Sequence, residues 1–486
     1  MKRHHRFAVA LFALSSSFIV HSANADIVSD WNATIRGMMQ HDGTNAVNSA
    51  NPGWSTRSIA MMNGAIYDTF QAMHRTHTPF MADMQAPAGA SLDAAVNQAA
   101  YDILSHCYPG ELTMLQNDFN ARMALIPDSP AKTAGIALGQ SIAHVYKTDR
   151  TDDGSADVVP YTPGTNPGEW RPRPGQTAWG PGWGTVKPFA IPATAPFIDA
   201  LPPLPALNSP EYTAAYNEVK DYGALVSPSR TADQTAIGLF WAYDRATMGP
   251  PPVLFIRNLE EISAAVGTSA EDNARLFATA SVAMADAAVS AWDAKFQYNL
   301  WRPIAGIQEG ETDGNDDTLA DPTWQPLGAP GSDPGGTTDD FTPPFPAWTS
   351  GHATMGGAVF KSLELFFGTN DFAEADALYG NDEVTGTYTL TSQEDGGGGA
   401  RTFHSFAHEG VFTLGSEDSP DGENAASRIY LGVHWIMDQR DGVTLGHDIA
   451  GYVSENHFAA VPEPSTLGLA ASALIALGAL SPRRRC

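Results

Sequence analysis

Residues 427–438 read Ser-Arg-Ile-Tyr-Leu-Gly-Val-His-Trp-Ile-Met-Asp and carry three kinds of chemistry within one short stretch. Arg428 supplies a guanidinium, and His434 and Asp438 supply an imidazole and a carboxylate four residues apart. Side chains at that spacing share one face of a helix, so the carboxylate can fix one ring nitrogen and leave the other as a ligand or nucleophile. A salt-bridged helix with a core histidine is the alternative, and motifs elsewhere have to separate the two.

A second basic motif lies near the end of the longest predicted helix, which spans residues 269–301 and is stopped by Pro303. Lys295 and Arg302 are seven residues apart, so on one helix they would share a stripe and could close on a single tetrahedral anion. A solvated basic edge is the alternative. The surrounding aromatic residues argue against it: Trp292, Phe296, Tyr298 and Trp301.

A third motif, Ser350-Gly351-His352, stands where a proline-rich loop is predicted to become a helix that runs to Phe367. Backbone N–H groups and the dipole at a helix N-terminus attract anions, and a hydroxyl adds a donor. His352 would lie in the first turn, where it could give or take a proton. An ordinary cap with a surface histidine is the alternative for this motif alone.

In order and spacing, the three motifs resemble the vanadium-dependent haloperoxidase family and its superfamily with the type 2 phosphatidic acid phosphatases. That pattern is Lys, six residues, Arg-Pro, then Pro-Ser-Gly-His, then Ser-Arg, five residues, His, three residues, Asp. The chain has every element except the proline, which is Thr349 here, after Trp348. Three further segments are similar to the chloroperoxidase-like branch: 241–251, 341–346 and 429–435.

The resemblance implies a role for each matching residue, with vanadate (vanadium V) as cofactor. His434 would bind the vanadium, and His352 would act as acid–base group. The remaining contacts to vanadate oxygens would come from Lys295, Arg302, Ser350, the Gly351 amide and Arg428, and Lys295 would also polarise peroxide. Asp438 and Asp244 would support His434 and the second arginine, and Trp292 and Phe345 would wall the halide side. Thr349 leaves the halide preference open.

The function implied is an exported vanadate-dependent haloperoxidase, an oxidoreductase that uses hydrogen peroxide to oxidise halide to hypohalous acid, with an organic compound as further acceptor. One alternative is an acid phosphatase that uses the same site with His434 as nucleophile. Another is a catalytically silent surface or matrix protein. By analogy with the family, a homodimer is expected.

The fold class predicted is all-α, with helical bundles around a vanadate site and long loops rich in proline and glycine. Residues 26–460 would form one helical domain, with N-terminal helices in 55–150 and an active-site half in 211–457. The helices are predicted at 55–74, 93–106, 111–125, 131–146, 211–225, 232–243, 269–301, 350–367, 402–414, 422–438 and 441–457. Loops are predicted at 151–210 and 309–346, and one strand-like piece at 383–392.

The chain ends indicate export. Residues 1–25 have the basic start, apolar run and small-residue cleavage site of a signal peptide. Residues 461–486 resemble a PEP-CTERM sorting tail, which implies sorting machinery and delivery to the periplasm, cell surface or extracellular matrix of a Gram-negative bacterium. The net charge of −27 argues against nucleic acid as a partner.

Overall fold

The computed structural model describes residues 26–45, 52–243, 248–328, 342–380, 386–394 and 399–461. Within these ranges the chain forms fifteen α-helices and one antiparallel sheet of two strands, so the predicted all-α class is confirmed. We find no helix in the described part of the chain that combines the length and the apolar composition of a membrane span.

The described residues up to 266 form nine helices: α1 (Ile27–Asn45), α2 (Pro52–His74), α3 (Leu92–Cys107), α4 (Leu112–Ala124), α5 (Pro130–Asp149), α6 (Ala195–Ile198), α7 (Pro210–Tyr222), α8 (Ala232–Phe240) and α9 (Pro251–Val266). The second part contains α10 (Ala270–Tyr298), α11 (Pro303–Gln308), α12 (Gly351–Phe367), α13 (Phe372–Leu378), α14 (Pro420–Tyr430) and α15 (Ile436–Asn456). Strands β1 (Tyr388–Thr391) and β2 (Ala400–Phe403) pair with Tyr388 opposite Phe403.

Helix α10 is the central element of the fold. It begins at the predicted N-cap Ser269, whose hydroxyl accepts a hydrogen bond from the backbone N–H of Asp272. One side of α10 packs on α2, and other sides pack on α12 and α15. Of its 29 residues 21 are buried, and many are alanine, which allows helices to approach closely from several directions. The N-terminal helices and the active-site half are therefore joined through one buried helix.

Two helix predictions in the last quarter of the chain are wrong. Residues 402–414 are not a helix, because the segment starts as strand β2 and continues without regular structure towards α14. The predicted helix 422–438 is two helices, α14 and α15, separated by residues 431–435. The strand-like prediction at 383–392 is confirmed for β1, whereas residues 383–385 lie outside the described ranges.

Asp286, in the middle of α10, holds the end of the long proline-rich loop. Its carboxylate accepts hydrogen bonds from three consecutive backbone N–H groups, those of Phe189, Ala190 and Ile191, at 2.6–2.9 Å. The side chain is fully buried, so water could not take its place as the acceptor for these three N–H groups. The loop is thus attached to the same helix that carries the candidate site residues.

Replacing Asp286 by alanine should lower the free energy of unfolding by about 3 kcal/mol, because three buried N–H groups lose their acceptor. Urea unfolding followed by circular dichroism measures the change. Asp233 is the matched control: its side chain is 71% exposed in an ion pair with Arg401, so Asp233→Ala should change the same free energy by less than about 1 kcal/mol. Equal losses in the two variants would contradict this account of the loop.

Candidate active site

His434 lies in the connection between α14 and α15, not on a helix as the sequence interpretation had it. Helix α14 ends at Tyr430, and Gly432 then adopts a left-handed conformation with φ of 73°. A Cβ atom at Gly432 would come within 2.3 Å of the Gly223 carbonyl oxygen, so only glycine fits. This sharp turn brings His434 back towards the first turn of α15.

The contact between His434 and Asp438 forms nevertheless, because Asp438 is the third residue of α15. Its Oδ2 atom lies 2.8 Å from Nδ1 of His434 and also accepts a hydrogen bond from the backbone N–H of Trp435. On the other side of the ring, Arg302 Nη1 lies 2.8 Å from Nε2. Arginine can only donate, so Nε2 carries a lone pair and Nδ1 carries the proton. Both neighbours therefore select the same tautomer.

The protonation of this pair follows from burial. Burial lowers the pKa of His434 well below 6.5, and nearby cations lower it further, in the order Arg302, Lys295 and Arg428. Burial raises the pKa of Asp438 to about 7, against the effect of the Trp435 N–H and of the cations. The imidazole is therefore neutral, with its lone pair directed at a group of positive charges.

Arg302 is not on α10, which corrects the predicted stripe with Lys295. Helix α10 ends at Tyr298, where Asn299 takes a left-handed conformation with φ of 52°, and Arg302 becomes the N-cap residue of α11. Its guanidinium donates to the carbonyl oxygens of Phe345 and Val433 at 2.9 and 2.8 Å, in addition to His434. The turn, rather than helical periodicity, brings both basic residues to one place.

Lys295, in the last turn of α10, is fully buried. Its Nζ atom donates to three backbone carbonyl oxygens, those of Pro346, Ala347 and Thr349. Burial and the adjacent Arg302 lower the pKa of Lys295, but three acceptors require three N–H donors, which only the ammonium form supplies. Lys295 therefore fixes the loop in front of α12 as well as adding a positive charge to the site.

The predicted start of α12 is confirmed, with Ser350 as N-cap. The backbone N–H of Ser350 donates to the Asp438 carbonyl oxygen at 2.9 Å, which joins the motif at 350–352 directly to the stretch 427–438. Gly351 is the first helical residue and His352 the second. His352 is 6% exposed, and its Nε2 atom lies 3.0 Å from the Ala242 carbonyl oxygen.

Of two further predicted residues, Arg428 and Asp244, the structure describes only the first. Arg428 is in the last turn of α14, is almost fully buried, and lies close enough to His434 and Lys295 for its charge to lower the pKa of both. Asp244, its predicted acidic partner, lies outside the described residues. The structure thus brings together one lysine, two arginines, two histidines, Ser350 and Asp438 from α10, α11, α12, α14 and α15.

Trp292 and Phe345 form an aromatic wall beside the cations. The two rings are 4.9 Å apart between centroids. Lys295 Nζ lies 5.6 Å from the Trp292 ring centroid and 5.1 Å from that of Phe345, and Arg302 Cζ lies 5.0 Å from the latter. These distances allow cation–π attraction, and the rings limit access of water to this side of the site.

Three contacts around the site were not found by sequence reasoning. The indole of Trp348 donates to Asp441 Oδ2 at 2.7 Å, which anchors the loop that Lys295 also holds. The side chain of Asn424 donates to the His352 carbonyl oxygen at 2.8 Å. Trp179, from the proline-rich loop, packs edge-on against Trp292 with centroids 5.1 Å apart. The tryptophan-rich composition of that loop was the available signal for the last contact.

The chain is similar to known proteins over most of its length. Residues 275–461 match the model of the VCPO second helical-bundle domain, and residues 460–485 match the PEP-CTERM protein-sorting motif. Vanadium chloroperoxidase of Curvularia inaequalis is 29% identical over 474 residues, which cover 80% of this chain and 74% of that protein.

Solved structures show the same fold. The first bacterial vanadium-dependent iodoperoxidase superposes with a TM-score of 0.68 at 20% identity, covering 89% of this chain and 96% of that one. The apo-type bacterial vanadium-dependent chloroperoxidase gives 0.60 at 13% identity, covering 84% and 94%. The chain therefore contains a VCPO second helical-bundle domain and a PEP-CTERM sorting motif, is similar in sequence to a vanadium chloroperoxidase, and shares its fold with bacterial vanadium-dependent haloperoxidases.

Proposed function

We propose that the chain is a vanadate-dependent haloperoxidase, which uses hydrogen peroxide to oxidise halide to hypohalous acid. The observation that carries the proposal is the tautomer of His434. Asp438 holds the proton on Nδ1, and the lone pair on Nε2 points at buried cations. A neutral imidazole nitrogen facing a cationic pocket suits a metal that arrives as an oxyanion, because one group binds the metal while the others bind its oxygens.

The donor set fits vanadate in its chemistry. His434 would bind the vanadium through Nε2, and Arg302 Nη1, released from that nitrogen, would donate to the oxygens of the anion. Arg428, Ser350 and the Gly351 amide would be further donors, and Lys295 would add its charge. When bound, vanadate supplies a Lewis acid that activates peroxide for attack by halide without changing its own oxidation state.

The chain's own residues would have three tasks around that group. Asp438 fixes the tautomer and the orientation of His434, so that Nε2 of the ring can act as a ligand. His352, in the first turn of α12, would transfer protons to and from peroxide oxygens. Trp292 and Phe345 would exclude water and leave an apolar side on which a weakly hydrated halide can approach.

We further propose that the protein works outside the cytoplasm, in the periplasm, at the cell surface or in the extracellular matrix. Support comes from the signal-like residues 1–25 and from the PEP-CTERM motif, which indicates export in Gram-negative bacteria. Hydrogen peroxide and halide would be the substrates there, and sorting machinery would act on the C-terminal motif.

The test is a vanadate titration of the purified chain after dialysis against a chelator. Initial rates of chloride, bromide and iodide oxidation are measured at fixed peroxide, and we expect activity with at least one halide to rise with vanadate and saturate. Absence of oxidation of all three halides after loading would contradict the proposal. Hydrolysis of a phosphate monoester that vanadate inhibits, without halide oxidation, would support the phosphatase alternative instead.

A further inference from the structure

A cleft of about 540 Å³ lies within the long proline-rich loop, between residues 154–163 and 172–183. Its volume is in the range of small-molecule sites, which runs from about 300 to 1,000 Å³. Two backbone hydrogen bonds fix one wall in place: Trp179 N–H donates to the Pro344 carbonyl oxygen, and Trp183 N–H donates to the Gly180 carbonyl oxygen. The cleft is therefore built by an ordered segment.

One wall of the cleft packs against the aromatic wall of the candidate active site. Trp179 lines the cleft and packs against both Trp292 and Phe345, with centroids 5.1 and 6.1 Å apart. Those two rings contact Lys295 on another side. A molecule in the cleft would thus be separated from the cations by two layers of aromatic side chains, Trp179 and then Trp292 with Phe345, near enough to intercept a small diffusible oxidant.

The lining selects for a neutral aromatic molecule. It combines tryptophan, tyrosine and several prolines with the exposed side chains of Val158 and Val159, which are 95% and 41% accessible. Among the described lining residues, Asp157 is the single charged one, so no cation is present to attract an anion. Flat ring faces and prolines favour stacking of an aromatic ring, and a carboxylate can accept from a phenolic hydroxyl.

We propose that this cleft binds the organic acceptor of the reaction, an electron-rich aromatic compound of the phenol class. The halogenation of the bound compound rests on the proposed function, whereas its binding in the cleft does not. In the halogenation step the ring carbon forms a bond to the halogen of hypohalous acid as the halogen–oxygen bond breaks, and the ring then loses the proton from that carbon. The hydroxide and the proton leave as water, so no further oxidant or reductant is needed.

Binding can be measured without vanadate, halide or peroxide, by calorimetric titration of the chain with 2-naphthol. We expect saturable binding to the wild type and a dissociation constant about tenfold higher for Val159→Asp, because the new carboxylate loses solvation against the ring. Val226→Asp is the matched control: that valine is 86% exposed on another loop, and its replacement should leave binding unchanged.

A second measurement ties the cleft to catalysis. In the vanadate-loaded chain, Val159→Asp should raise the KM for bromination of 2-naphthol by a similar factor and leave bromide oxidation without an organic acceptor unchanged. If the wild-type chain does not bind 2-naphthol, or if Val159→Asp binds it equally well, the cleft is not the binding site. Weakened binding with an unchanged KM overturns its role as the acceptor site. Intact cleft binding in a chain that oxidises no halide counts against the proposed function alone.

Discussion

His434→Ala should lower vanadate-dependent bromide oxidation by more than about 100-fold at any vanadate concentration that saturates the wild type. Replacing a residue that only orients a metal ligand reduces metal affinity or activity by about 10- to 100-fold, and removal of the ligand itself should exceed this. Asp438 and Arg302 contact the two ring nitrogens from opposite sides, so they fix both the tautomer and the orientation of the imidazole. Steady-state rates over a vanadate series provide the measurement.

Two variants make this result interpretable. Asp438→Asn keeps the size of the side chain and loses the negative charge, so its vanadate affinity should fall by about 10- to 100-fold, between the wild type and His434→Ala. His74→Ala is the matched control, because that histidine is partly exposed in a surface pair with Glu271. If His434→Ala kept wild-type activity while folded by circular dichroism, the assignment of the metal ligand would be wrong.

Lys295→Met should lower the same activity by about 100- to 1,000-fold, the magnitude expected when one preorganised group is removed from a charge-stabilising site. Two losses combine in this variant. The site loses a buried positive charge next to His434, and the carbonyl oxygens of Pro346, Ala347 and Thr349 lose their donor. Lys295→Arg should not restore activity, because a planar guanidinium cannot direct donors at three converging carbonyls.

The unfolding free energy of each Lys295 variant shows whether the activity falls through the site or through the fold. Lys361→Met on α12 is the matched control: this lysine pairs with Glu364 near the surface, and its loss should change activity by less than about twofold. Full activity in a folded Lys295→Met variant would show that the ammonium has a structural role alone.

The chemistry of the site could be predicted from the sequence better than its local geometry. The three motifs contain Lys295, Arg302, His352, Arg428 and His434, and the structure brings all of them together. Helical spacing, however, gave the wrong reason for their proximity. Lys295 and Arg302 meet because Asn299 ends α10 in a left-handed turn, and His434 meets Asp438 because Gly432 interrupts the chain between two helices. Turns of this kind depend on contacts with distant segments, such as that of Gly432 with Gly223.

The elements that the sequence interpretation missed include two long helices and a strand, which differ in how predictable they were. Helices α1 and α9 have apolar residues at helical spacing, and the two prolines that open α9 are tolerated in a first turn, so both could have been found. Strand β2 could not, because it forms by pairing with β1 across residues 392–399 and has no strong pattern of its own. The anchor between Trp348 and Asp441 likewise joins residues 93 positions apart.

The most direct test of the account is the amount of vanadium that the chain binds at equilibrium, with neither peroxide nor halide present. After dialysis against orthovanadate, elemental analysis should find one vanadium per chain in the wild type and none above background in His434→Ala. Equal vanadium in the two proteins would contradict the assignment of His434 as the ligand. A wild type without vanadium that instead becomes phosphorylated at His434 by a phosphate monoester would contradict the haloperoxidase function itself.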